Sequence, residues 1–198
     1  MANEYVTLED LKVQLGIVAS DDTRDALLDR ARRSASRSID KTCGRRFWLD
    51  PVAVQRTFNP RGSIVREDDG DLFLIDDIGS AAGLVVETGS GASWTAVTGY
   101  ETSPDNALAD GKPITGLLRP LATWGISTTR LRVTARFGWP AVPDDIAEAA
   151  MIQASRLYKR KDSPEGIIGS AEWGVRNLSR RDPDVWALIE PYILPGFG

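Results

Sequence analysis

Residues 130–137 alternate without a break. Leu131, Val133, Ala135 and Phe137 fall on one side, and Arg130, Arg132, Thr134 and Arg136 on the other. Only an extended strand puts every second side chain on one face, so this segment must be a strand with one face buried. A different period governs residues 28–39. There Leu28, Ala31, Ala35 and Ile39 recur at spacings of three and four, the signature of a helix with one apolar stripe. A helical pattern does not bury itself as a strand, nor the reverse, so the chain must combine both kinds of element.

The two textures separate along the chain. Thr7 is placed to cap a first helix, with Asp10 positioned to reach back as in a capping box. Leu8, Leu11 and Leu15 form its stripe, and Gly16 is its expected left-handed terminator. Asp21 and Asp22 are expected to cap a second helix over 23–42, which Gly44 ends. From Phe47 to Phe137 the pattern is β-like. Val52, Val54, Arg56 and Phe58 alternate, and short apolar runs follow at 72–75, 84–86 and 94–97. Turn chemistry punctuates them at Asn59-Pro60-Arg61-Gly62, Asp68-Asp69-Gly70 and Gly89-Ser90-Gly91, and 103–113 reads as a loop. Pro143-Asp144-Asp145 opens a helix to about Lys161, with Ile146, Ala149, Ala150, Ala154, Leu157 and Tyr158 inward. Asp182-Pro183 opens a final helix carrying Val185, Trp186, Leu188, Ile189 and Tyr192. The expected fold class is α+β. A helical bundle is drawn from both chain ends, 1–46 and 139–198, and an antiparallel β module, a sandwich or barrel, is inserted at 47–138.

Several chemistries are removed by composition. The chain has 198 residues, no histidine and one cysteine, Cys43, so neither a disulfide within the chain nor a His/Cys zinc site can form. Cys43 reads as a small buried hydrophobe of a reducing compartment. There is no G-x-S-x-G elbow, Walker loop or dinucleotide fingerprint. The 28 acidic residues outnumber the 24 basic ones, without the basic excess usual in a chain that grips duplex DNA. No apolar run is long enough for a bilayer, and Met1 to Glu9 lacks the pattern of a signal peptide. No catalytic residue, metal ligand or cofactor is expected.

Three features point to interactions. Arg33, Arg37 and Lys41 share a face of the second helix, which reads either as a solvated face partly paired with Asp25, Asp29 and Asp40 or as a surface suited to an acidic protein or phosphate. The residues Ile167, Ile168 and Trp173 place apolar side chains in a glycine-rich segment, the composition of a partner contact. Glu67, Asp68, Asp69 and Asp71, with Asp76 and Asp77, form an acidic cluster that reads as a hairpin tip or a hard-cation site.

The opening Tyr5-Val6-Thr7-Leu8-Glu9-Asp10-Leu11-Lys12, followed by Leu15-Gly16, resembles the start of phage head-tail connector (adaptor) proteins. So does Ile39-Asp40-Lys41-Thr42-Cys43-Gly44-Arg45-Arg46-Phe47. Val142-Pro143-Asp144-Asp145-Ile146, the run Arg156 to Gly166 with its Ser-Pro-Glu-Gly turn, and Asp182-Pro183-Asp184-Val185 resemble connectors of actinobacteriophages and related long-tailed phages. The resemblance covers both helical ends, about half the chain, and the β insertion departs from minimal all-helical connectors. It implies a non-enzymatic structural protein of the virion neck, assembled in the host cytoplasm. Copies would form a ring, typically twelvefold, beneath the portal protein, and receive a stopper or tail-completion protein. DNA would pass through the bore without sequence-specific binding, and no membrane is involved. A closed ring needs two different complementary patches, for which the basic second helix and the acidic cluster are candidates. The C-terminal Tyr192, Ile193, Leu194 and Phe197 are the expected portal contact, unless Tyr192 and Ile193 simply close the bundle. Two other readings stay open. One is a carbohydrate- or surface-binding β module using Trp94, Tyr100 and Trp124. The other is a carboxylate- or cation-dependent hydrolase built on the acidic cluster.

Overall fold

The computed structural model describes residues 3–125, 129–160, 167–168, 176–177 and 182–195. The chain divides into two compact units, one formed by Met1–Arg46 with Val142–Gly198 and the other by Phe47–Ala141.

The helical unit contains α1 (Leu8–Gln14), α2 (Asp25–Cys43), α3 (Asp144–Lys159) and α4 (Pro183–Ile189). A 3-10 turn at Glu190–Tyr192 follows α4. Thr7 caps α1, its hydroxyl accepting from the Asp10 amide at 3.0 Å. The expected capping of α2 is corrected. Asp21 instead accepts from the Thr23 amide at 3.1 Å, closing a turn, and α2 begins after Arg24 with no side-chain cap. Gly44 stops α2 in the left-handed conformation, φ 68°, which costs glycine nothing. The stripe Leu28, Ala31, Ala35 and Ile39 is buried. Its small residues let α2 lie closely against α3, which buries Ile146, Ala149, Ala150, Ala154 and Tyr158. Fully burying Leu28, Ile39, Leu11 and Ile146 is worth roughly 2 kcal/mol each. Asp182 accepts from the Asp184 and Val185 amides at the start of α4, and pairs with Arg156 of α3 at 2.8 Å.

The β unit is one seven-stranded antiparallel sheet of β1 (Val54–Phe58), β2 (Ile64–Glu67), β3 (Gly70–Ser90), β4 (Ser93–Ala96), β5 (Glu101–Ser103), β6 (Ile114–Pro120) and β7 (Arg130–Phe137). Two short strands, β8 (Ile167–Ile168) and β9 (Arg176–Asn177), pair separately. The main order is β1-β7-β3-β6-β5, with β2 and β4 also on β3. The path does not close, so the sheet is not a barrel. The apolar runs at 72–75 and 84–86 are not separate strands but parts of the 21-residue β3. Irregularities in its pairing lie between Leu74 and Ile78 and between Ile78 and Val85. There β3 changes partners: its first half pairs with β2 and β6, and its second with β4 and β7. Bulges bend a strand and increase its twist. Here both halves contribute to one core, with Phe73, Ile114 and Leu117 meeting Val86, Leu131, Val133 and Phe137 around Trp124. The alternation in β7 holds residue by residue. That of β1 does not extend outward, because Val52 and Val54 are exposed.

Candidate assembly interface

The basic face of α2 is largely neutralised by its own chain. Arg33 lies 3.5 Å from Asp29 and 3.9 Å from Glu4. Arg37 lies 3.0 Å from Asp40 and donates to the Asn3 carbonyl at 2.6 Å. Arg32 ties the same segment down, 2.7 Å from Asp29 and 3.4 Å from Glu4. The Tyr5 amide donates to the buried Ser36 hydroxyl at 3.1 Å, and the Tyr5 hydroxyl donates to Asp40. Burial pushes the Asp40 carboxyl above its ordinary value, against the lowering effect of Tyr5 and Arg37. The Arg32 hydrogen bond holds Asp29 below its ordinary value. Residues 3–6 therefore form a strap along α2, and Arg33 and Arg37 anchor it. Lys41 is exposed with no ion pair among the described residues.

The C-terminal group is partly docked on the helical unit. The Tyr192 hydroxyl donates to Asp145 at 3.1 Å, and burial is the first cause raising its pKa. The Leu194 amide donates to the Cys43 carbonyl at 2.9 Å, satisfying a carbonyl at the end of α2. Ile193 is half-buried, while Leu194 keeps 44% of its surface exposed. Phe197 and Trp173 lie outside the described residues, and for Ile167 and Ile168 only the backbone of β8 is described.

The acidic cluster is dispersed. Glu67, Asp68 and Asp69 sit exposed at the β2–β3 hairpin, whose register pairs Glu67 with Gly70. Asp76 pairs with Arg56 at 2.8 Å, and buried Asp77 accepts from the Trp139 indole at 3.1 Å. Among the described residues no group of three carboxylate or thiol side chains is arranged to hold a metal ion. The aromatic platform is also corrected. Trp124 is buried, donating to the Asp71 and Leu117 carbonyls, and Tyr100 lies against it with ring centroids 6.4 Å apart. Trp94 is covered by Arg132, whose guanidinium lies 4.4 Å above the ring and binds Glu87 at 2.7 Å. Three aromatics spent in this way do not present one face to a sugar.

Two features escaped sequence reasoning. Lys12 is buried, 2.6 Å from Asp25, and donates to the Ala19 carbonyl at 3.2 Å. Its position in the helical stripe gave no hint, since a lysine at a helix end ordinarily reads as solvated. Leu121 stands in the left-handed region, φ 52°, and is 93% exposed. A leucine following a proline carries no sequence signal for that conformation.

The whole fold has solved counterparts. It is shared with chains of two solved particle structures. The chain is similar to one in the neck of an empty gene transfer agent (GTA) particle computed with C6 symmetry. The two are 17% identical over 96% of this chain and 91% of that one, at a TM-score of 0.56. A chain in the virion of the native GTA particle is 18% identical over the same shares, at a TM-score of 0.54. No family model matches the sequence, and no curated protein does. At such identity the likeness is one of fold.

Proposed function

We propose that this chain is a structural subunit of the neck of a phage-like particle, acting as a head-tail connector without catalysis. The observation that carries the reading is the match over nearly the whole chain, β unit included, to a GTA neck chain. The sequence resemblance of both helical ends to phage connectors supports the same position, and alone supports the narrower placement among actinobacteriophage-like connectors. In this reading about twelve copies close a ring by a head-to-tail contact. The ring sits beneath the portal, extends the DNA channel and receives a stopper or tail-completion protein. Tyr192, Ile193 and Leu194 are the proposed portal contact, with Leu194 the most exposed of the three.

The test is electron microscopy of the chain mixed with its cognate portal ring. An added layer of matching symmetry is the expected result. No association, with both components folded, overturns the connector position.

A further inference from the structure

Leu121 directly follows β6, where Pro120 pairs with Gly70. Its amide donates to the Asp69 carbonyl at 2.9 Å, which holds it against the β2–β3 hairpin. Arg119 donates to the Thr123 carbonyl at 2.6 Å, and Trp124 is buried immediately beyond. A leucine held in the left-handed region with 93% of its surface in solvent is locally strained, because its Cβ crowds the backbone there. It spends an apolar side chain on water while Glu67, Asp68 and Asp69 stand exposed on the adjoining hairpin. The result is a firmly anchored apolar knob with an acidic collar, beside which stand Arg66, 3.9 Å from Asp71, and Arg119, opposite Asp71 in the sheet register.

The helical unit carries a recess of the opposite character. Leu27, Ala31 and Leu157 line it between α2 and the last turn of α3, and Arg30, Ser34, Tyr158 and Arg160 complete its wall. Its volume is about 290 Å³, at the lower limit of ~300 Å³ for ligand pockets and suited to one or two side chains. Unlike Arg33 and Arg37, the guanidiniums of Arg30 and Arg160 have no ion pair among the described residues. The α3 macrodipole does not satisfy them, because its C-terminal end attracts cations only weakly at an exposed surface.

We propose that Leu121 of one copy enters the Arg30–Arg160 recess of the next, with the Glu67-Asp68-Asp69 hairpin meeting the two arginines. The inference rests on the ring reading above and names its contact. The occupant is a second copy because apolar knob and apolar floor, acidic collar and basic wall are complementary. Knob and recess are different patches on one chain, as a closed head-to-tail ring requires. Anchoring of the knob before contact lowers the ordering cost of docking.

The experiment mixes Ser34→Cys chains with Leu121→Cys chains, oxidises them, and measures the junction peptide by mass spectrometry. It is run on the free chain at high concentration and on the chain mixed with portal. Both positions are exposed, so both variants should fold. Mixing two single variants reports only contacts between copies. Docking should raise the Ser34–Leu121 junction at least about tenfold over a Ser34→Cys and Ala81→Cys control, through local concentration. Arg30→Glu on the first chain should lower it about tenfold, and Asp69→Lys on the second should restore most of it. No enrichment over control in either state overturns the inference, and an unchanged yield with Arg30→Glu overturns its charged half. A portal-bound layer without the junction would sink this contact alone. The junction without a portal layer would sink the connector position and leave the self-contact standing.

Discussion

At the scale of single residues, two sites show how closely the backbone is constrained. Gly138 follows β7 with φ 111°, and a Cβ there would overlap the Trp48 carbonyl oxygen. Gly138→Ala should therefore cost about 2–4 kcal/mol, strain and clash together. Gly99→Ala, which meets nothing within 4 Å, should stay within about 0.5 kcal/mol of the parent. Denaturant midpoints of the two variants check the contrast. Cys43 is buried, and burial pushes its thiol up to about 11. The native thiol should alkylate at pH 8 about a hundredfold or more slower than the unfolded chain, because the thiolate is the nucleophile. The linkage sign follows from the raised value. Cys43's contribution to stability is complete below its unfolded pKa near 9 and declines as pH rises towards about 11. A pH series comparing the parent with Cys43→Ala isolates it.

Elements depend on their ends and their bends. Asp182 does two jobs at α4, capping its first amides and pairing with Arg156. Asp182→Ala should cost about 1–2 kcal/mol, and Asp182→Asn less, since asparagine keeps the cap but not the charge. Unfolding free energies of the two variants separate cap from ion pair. The helix faces were legible from periodicity, because Leu28, Ala31, Ala35 and Ile39 must share one side whatever they pack on. The strand endings were less so. The sequence presents 72–75 and 84–86 as separate apolar runs, whereas the chain continues from one to the other as a single bulged strand. The reason is tertiary. Buried Asp77 accepts from Trp139, and Gly79 lies tightly against Trp139 and Gly138, so polar and small residues serve the bend rather than end the strand.

Across the whole molecule, ion pairing decides which charges stay available. Arg33 and Arg37 form a basic stripe in sequence, and Asp29 and Asp40 pair with them as the solvated-face reading expects, joined by Glu4. Reversing them should release the 3–6 strap and lower stability, so lost assembly would not identify a ring contact. Arg30 is the cleaner position. The tail makes a complementary case. Deleting residues 193–198 removes the Leu194–Cys43 hydrogen bond, which is worth about 1 kcal/mol. The truncated chain should stay folded by circular dichroism and, on the proposed function, lose portal binding in co-sedimentation. Retained binding would reject the tail as the portal contact.

The local pattern alone determined the α+β class, the capping of α1 and α4, the inward faces of α2 and α3, the alternation of β7, and the exclusion of histidine and cysteine-cluster chemistry. These follow from periods and donor counts carried within a few residues. Only the tertiary structure decided that β3 is one bent strand, that the sheet stays open, that Lys12 is buried on Asp25, and which arginines keep their charge available. Each depends on groups distant in sequence meeting in space, where desolvation and pairing, rather than spacing, set the free energy.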